Sequence, residues 1–298
     1  MLSNEAPIRL SHSTLELFNR CERLFQLEKL LATDSDREES ADTVFGTAYG
    51  VGVASYLVHQ DQDRALYEAW LSYWPELEND KKNHATLVAC MRKSFPVLDT
   101  MLRDYEVLHF NGKPAVELSF RVNITPRYYY VGYIDVVLRN RFDGTCVVFD
   151  AKSTGLQLHD LDPVYKNSGQ CLGYSIALDK IVGEKLAEYS VGYFVAQIGK
   201  SYDINIKPLV YPKTLLDRLN WFLGLGSDIR RLELAEEVGF YPRRGGNCLK
   251  YNRPCRHFGV CHMSSLDVPR DIPPDENVYD FSFDLDDLID DHLKRINS

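Results

Sequence analysis

Between Gly132 and Gly155 the chain carries a pattern that restricts its fold more than any other. Val136, Val137 and Leu138, a polar connection Arg139-Asn140-Arg141-Phe142-Asp143-Gly144, and then Val147, Val148 and Phe149 form two β-branched or aromatic runs joined through an Asp-Gly turn signal. That is the pattern of a β-hairpin. Asp135 lies in the first arm, and Asp150 and Lys152 end the second with one residue between them. Strand alternation therefore sends Asp150 and Lys152 to the same face. Two carboxylates are hard oxygen ligands suited to Mg²⁺ or Mn²⁺, which bind through a few carboxylates and keep waters that a substrate phosphate can replace. A lysine beside them holds an attacking water or stabilises charge on the phosphate. Alone, Asp-x-Lys at a strand end reads as a solvated edge or a surface ion pair. Here it follows an apolar strand, sits downstream of an acid in the partnering strand, and precedes Ser153-Thr154-Gly155.

A chain of 298 residues, 45% hydrophobic and 26% charged, has ample material for a sizeable core. No apolar run approaches the ~20 residues of a membrane span, and the start, Met1-Leu2-Ser3-Asn4-Glu5, has neither a basic nor an apolar leader region. The expectation is a cytoplasmic protein without a membrane partner, whose seven cysteines serve as thiols or metal ligands. The net charge of −9 is concentrated at the end: from Asp267 onward ten acids face three bases. Residues 239–266 hold no acid, against Arg243, Arg244, Lys250, Arg253, Arg256 and two histidines. This is a local basic patch suited to phosphate contacts.

Ser13-Thr14-Leu15-Glu16 fits a capping box opening a helix of about five turns, with Leu17, Cys21, Leu24 and Phe25 on its inward face. After a charged loop from Thr33 to Asp42, Val44 to Gly52 predicts a second helix whose small residues suit close packing. Helical patterns follow from Arg64 to Trp74 and from Asn83 to about His109, separated by a polar loop from Glu76 to Asn83. The period then changes to that of strands at Ala115–Val122, including Glu117, and at Tyr128–Leu138. Leu156 to Pro163 reads as a loop, and a helix from Tyr165 places Gln170 and Tyr174 one turn apart on one face. Strands at Glu188–Ile198 and Ile204–Val210 and a long helix from Pro212 to Val238 complete the pattern. In the acidic tail, where Asp280 to Asp291 mixes acids with spaced apolar residues, the chain from about Asp275 to the end reads either as a disordered arm for a protein partner or for gating, or as a helix packing Leu285, Leu288 and Ile289.

Cys248, Cys255 and Cys261 fall within fourteen residues and show no strand alternation, a strong sign of metal or cluster ligation. Zinc would take its fourth ligand locally from His257 or His262. A [4Fe–4S] cluster would need a fourth thiolate from elsewhere, a need that Cys21 fits.

Gly132-Tyr133-Ile134-Asp135 and Asp150-Ala151-Lys152 resemble the PD-(D/E)XK nucleases. Ser11-x-Ser13-x-Leu15-x-x-Phe18-x-x-Cys21 and Gln170-x-x-x-Tyr174, with the cysteine trio, are similar to the RecB-like iron–sulfur branch, which includes AddB-type nuclease domains and CRISPR-associated exonucleases. The resemblance implies an α/β core with a central mixed sheet flanked by helices. It implies a single nuclease domain over residues 1–266, with a helical region about 13–109, a catalytic core about 115–238 and a cysteine region 239–266, followed by the acidic tail 267–298. It implies Asp135 and Asp150 as ligands of Mg²⁺ or Mn²⁺, Lys152 orienting the nucleophilic water, and Glu117 near the metal. Gln170 and Tyr174 would steady the nucleic-acid backbone, and Cys21, Cys248, Cys255 and Cys261 would hold a [4Fe–4S] cluster. The activity implied is a DNA exonuclease, acting on single strands, in recombination, repair or phage replication. One departure stands out: the branch has Gly-x-x-x-His in the second helix, and here Gly46 is followed by Gly50, with His59 nine residues further on. A nucleic-acid-binding adaptor that kept the fold without the chemistry is the alternative this raises.

Overall fold

The computed structural model describes residues 6–32, 40–74, 78–201, 203–250, 253–263 and 267–298, without the side chains of Lys250 and Arg253. Most of the charged loop predicted after Thr33, residues 76 and 77 of the polar loop, and two bases of the basic patch thus lie outside the described residues or side chains.

In chain order the elements are β1 (Ile8–Leu10), α1 (His12–Arg20), α2 (Glu22–Phe25) with a π-helical turn at Gln26–Leu30, α3 (Ala41–His59), α4 (Gln62–Leu71) and α5 (His84–Asp104). Then come β2 (Tyr105–Val107), a small hairpin of β3 (His109–Phe110) and β4 (Lys113–Pro114), β5 (Val116–Asn123), β6 (Tyr128–Asn140) and β7 (Cys146–Thr154). They are followed by α6 (Leu158–Lys166), α7 (Gly169–Tyr174), α8 (Leu178–Val182), β8 (Glu188–Ile198), β9 (Ile204–Thr214) and α9 (Leu215–Val238). The chain closes with the small hairpin β10 (Leu249–Lys250) and β11 (Arg253–Pro254), β12 (Phe281–Asp284) and α10 (Leu285–Asn297). The product is a mixed α/β fold whose central sheet has parallel and antiparallel pairs and helices packed on it. Among the described residues no helix is long and apolar enough to cross a membrane.

The chain divides into two compact units, one of Met1–Arg37, Phe120–Gly132 and Leu219–Ser298, the other of Glu38–Ser119 and Tyr133–Arg218. In the first, β1 runs parallel to the start of β6, and β12 runs parallel to β5 with Phe281 opposite Phe120. Phe18 meets Phe25 edge-on at 5.6 Å, and Tyr130 meets Trp221 at 5.3 Å. Glu22 is buried between Arg231 and Arg244, at 2.7 and 2.6 Å. Burial alone would push its carboxyl up, but the two guanidinium hydrogen bonds outweigh it and hold it down at about 2.

In the second unit, β6 and β7 form the antiparallel hairpin with Val136 opposite Phe149. β7 and β8 are parallel and β8 and β9 antiparallel. The parallel pair is joined through α6, α7 and α8, as a parallel connection requires. Helix α3 has almost no polar face: Phe45, Ala48, Tyr49, Val53 and Leu57 are buried with Leu87, Met91 and Phe95 of α5 and with Phe149 of the sheet. Gly52 makes this packing sterically feasible, since a Cβ there would sit 2.7 Å from Met91 Cε and 2.9 Å from Ala69 Cβ. On the side facing β7, a Cβ at Gly46 would meet Ser153 Oγ at 3.7 Å and one at Gly50 would meet Ala151 Cβ at 4.0 Å. The glycine run therefore brings the helix backbone close to the strand that carries Asp150 and Lys152.

Several expectations are corrected. The first helix is capped by Ser11, with Thr14 closing the reciprocal box, and it stops at Arg20. Cys21 follows in extended conformation (φ −165°, ψ 116°), and it is half-buried rather than on an inward helical face. The predicted loop from Leu156 contains α6, and the helix carrying Gln170 is a separate one because Ser168 starts a new cap. Strand β9 continues through Pro212 to Thr214 before α9 begins. The end of the acidic tail is strand and helix rather than a disordered arm. Phe281 and Leu285 are buried and Leu288 and Ile289 half-buried, so spaced apolar residues anchor the segment despite its acids. The basic patch is partly spent internally, since Arg244 binds Glu22 and Arg256 lies 2.7 Å from Glu28.

Candidate active site

The hairpin of β6 and β7 places its two acids side by side. The Ala151 N–H donates to Asp135 Oδ2 at 3.1 Å, tying the first arm's acid to the second arm's backbone. Asp150 is 2% exposed, at the point where β7 passes from the buried run Cys146–Phe149 to half-buried residues. Its Oδ1 accepts a hydrogen bond from Gln170 Nε2 at 3.0 Å, and its Oδ2 lies 2.7 Å from Lys152 Nζ. Gln170 Nε2 also donates to the Tyr174 hydroxyl at 2.9 Å, so the one-turn spacing on α7 makes Tyr174 a support for Gln170. Asp135, Asp150, Lys152 and Gln170 line one cavity of about 720 Å³. Glu117, Gly46, Gly50 and Ser153 share its wall.

The charges in this cavity are mutually adjusted. Burial and then the charge of Asp150 push the Asp135 carboxyl well above the usual carboxylate range, against smaller opposing pulls from Lys152 and the Ala151 N–H. Burial would by itself lower Lys152, but Asp150 and Asp135 outweigh it and raise the ammonium, which stays protonated at neutral pH. Glu117 opens into the cavity, yet the surrounding protein and the charge of Asp150 push its carboxyl up as well. Its backbone is unusual: φ is +52°, a left-handed conformation that costs a non-glycine residue about 1 kcal/mol or more and is retained where surroundings impose it.

This donor set suits a hard dication. Among the described residues no three His, Cys, Asp or Glu side chains are already gathered to hold an ion. Mg²⁺ does not need such a cage, because it binds through one or two carboxylates and keeps several waters. Crowded carboxylates with a raised Asp135 are what a cation between them would relieve. His59 is exposed at another part of the cavity wall. It lies nine helical positions beyond Gly50, roughly 13.5 Å along the axis, so it does not replace a side chain at Gly50.

Cys21, Cys248, Cys255 and Cys261 line a second, much smaller cavity of about 40 Å³ with Arg23, Arg244 and His257. Cys90, Cys146 and Cys171 are buried core residues elsewhere. The four half-buried cysteines share the wall of this cavity, and among the described residues no three of them are gathered as ligands of one ion. His257 is buried and its imidazole is pushed down by desolvation toward the neutral, ligand-competent form. His262 does not line this cavity and is exposed.

Two polar residues beside the larger cavity escape sequence reasoning. Ser153 is visible in sequence only as part of the Ser153-Thr154-Gly155 run after Lys152, and Lys82, 71 residues away, donates to it at 3.2 Å, a pairing with no sequence signal.

No curated protein matches this sequence. One crystal structure from Eubacterium rectale, described as a "putative exonuclease", is similar at 13% sequence identity over 80% of this chain and 85% of that one, with a TM-score of 0.45. The family model of the PD-(D/E)XK nuclease superfamily matches residues 9–262, a span that takes in both aspartates, Lys152 and all four cysteines of the smaller cavity. By that match the chain belongs to the PD-(D/E)XK nuclease superfamily.

Proposed function

We propose that this protein is a Mg²⁺- or Mn²⁺-dependent nuclease that hydrolyses DNA phosphodiester bonds, favours single strands, and works as an exonuclease in recombination, repair or phage replication. The observation that carries the reading is the convergence of Asp135, Asp150, Lys152 and Gln170 on one cavity. Asp135 and Asp150 would hold the ion, which when bound supplies Lewis acidity and an acidified water. Lys152, kept protonated by the aspartates, donates a hydrogen bond to the water or to phosphate oxygen. Gln170, supported by Tyr174, fixes the rotamer of Asp150. In the same reading the chain is of the RecB-like iron–sulfur branch. Cys21, Cys248, Cys255 and Cys261 would hold a [4Fe–4S] cluster, and zinc with His257 is the other occupant the donor set allows.

The experiment is cleavage of end-labelled single- and double-stranded DNA with Mg²⁺, with Mn²⁺ and with chelator. Metal-dependent loss of single-strand label is the expected result. DNA binding without cleavage in either metal would favour the adaptor reading, for which Gly50, where the branch has a histidine, is the supporting feature.

A further inference from the structure

Lys82 is 5% exposed, and its ammonium has few partners for a buried charge. Nζ donates to Ser153 Oγ at 3.2 Å, lies 4.3 Å from the centroid of the Phe45 ring, and is 4.0 Å from Asp42, whose side chain is mostly exposed. The position is fixed by its own backbone: the Lys82 N–H donates to Asn79 Oδ1 at 2.8 Å, and its carbonyl accepts from the Tyr73 hydroxyl and from the Asn79 N–H. An ammonium has three donors and no acceptor, so it occupies a lone pair of Ser153 Oγ and leaves the serine's own hydrogen free to donate elsewhere. Ser153 lines the large cavity together with Lys152, and Gly46 leaves the hydroxyl uncovered on the α3 side.

We propose that Ser153 is a donor to a backbone phosphate of the bound nucleic acid, and that Lys82 is a positioning residue that turns the Ser153 hydroxyl toward that phosphate. This rests on the nuclease reading of the cavity. Ser153 lies three residues beyond Asp150 on β7, about 10 Å along an extended strand. By strand alternation it also faces away from Asp150 and Lys152, toward α3, so the phosphate it meets is not the scissile one.

The test is binding of a fluorescent single-stranded oligodeoxynucleotide to the full-length protein in Ca²⁺. Ser153→Ala is expected to weaken binding about tenfold, in the range of a hydrogen bond to a charged group. Ser153→Thr should restore it. Lys82→Met should give the same loss, and the double variant should be no weaker than either single one, because the lysine acts through the serine. Oligonucleotides with one neutral methylphosphonate linkage should show a single position where wild-type binding drops and Ser153→Ala binding does not. Ser153→Ala binding within twofold of wild type, losses that multiply in the double variant, or equal sensitivity of both proteins at every linkage would overturn the proposal. If Lys82→Met does not fold, the two Ser153 variants and the linkage scan decide. Failure of the wild type to cleave in Mg²⁺ would count against the nuclease reading, while the binding comparison still decides the role of Ser153.

Discussion

Gln170 donates its carboxamide to Asp150 at 3.0 Å, on the oxygen opposite the one that Lys152 approaches at 2.7 Å. The buried acid is thus held from both sides, and its rotamer is set before any metal arrives. Outer partners of this kind typically change metal affinity 10–100-fold when removed. Gln170→Ala should weaken Mn²⁺ binding, measured calorimetrically, by about that factor while the circular dichroism spectrum stays that of the wild type. Unchanged affinity would remove Gln170 from the metal site.

Glu117 combines a strained backbone with a crowded carboxylate. Glu117→Gly and Glu117→Ala both delete the charge, but only glycine relieves the left-handed φ. The glycine variant should be more stable than the alanine variant by about 1 kcal/mol, and both should lose nuclease activity. Chemical denaturation of the two, side by side, reads the difference. Equal stability would mean that the residue is not strained there.

The raised carboxyl of Asp135 has a pH signature with a definite sign. In the unfolded chain an aspartate titrates at about 3.9, whereas in the metal-free fold its proton is retained to higher pH. Between those values the folded state binds more protons than the unfolded one, so the stability of the metal-free protein falls as pH rises through that window. A bound dication needs the ionised form, so the stabilisation by Mn²⁺ should grow over the same range. Melting temperatures with and without Mn²⁺ between pH 5 and 8 check both trends. A metal increment independent of pH would contradict the assignment of Asp135.

The four cysteines around the smaller cavity give a metal prediction independent of cleavage. Protein purified without air should be brown and contain about four irons per chain, as a Cys₄ cluster requires. Cys21→Ser should lose iron and solubility together. That thiolate would close a loop of more than two hundred residues, and such cross-links act chiefly by restricting the unfolded chain. One zinc and no iron, with Cys21→Ser still fully metallated, would point instead to a local site completed by His257.

The hairpin was legible because its signals are local: alternation, a turn dipeptide, and two acids whose register follows from strand geometry. The strands at Glu188–Ile198 and from Ile204 were equally plain, since one is buried along nearly its whole length and the other alternates. The break at Cys21 was not, because apolar spacing continues through it while the backbone turns. Helix α6 was hidden by Pro163 and by an absence of buried side chains, so no apolar stripe marks it. The strand and helix of the tail competed with a composition that also describes disorder, and the choice depends on Phe281 finding a place beside Phe120. At the site, Gln170 and Tyr174 were visible as a spacing, whereas the contact between Gln170 and Asp150 needed the crossover from β7 to α7. The link from Lys82 to Ser153 had no sequence signal because it joins distant segments.

In the proposed mechanism Asp150 and Lys152 together perform metal-dependent phosphodiester hydrolysis. It is tested most directly by single-turnover cleavage of labelled single-stranded DNA in Mg²⁺ by wild type, Asp150→Ala and Lys152→Ala, each shown to be folded and to bind the strand. Loss of a catalytic electrostatic group costs about 10²–10³ in rate. Each variant should fall by at least that factor while DNA binding persists. Turnover like that of the wild type in both variants would remove Asp150 and Lys152 from the chemistry.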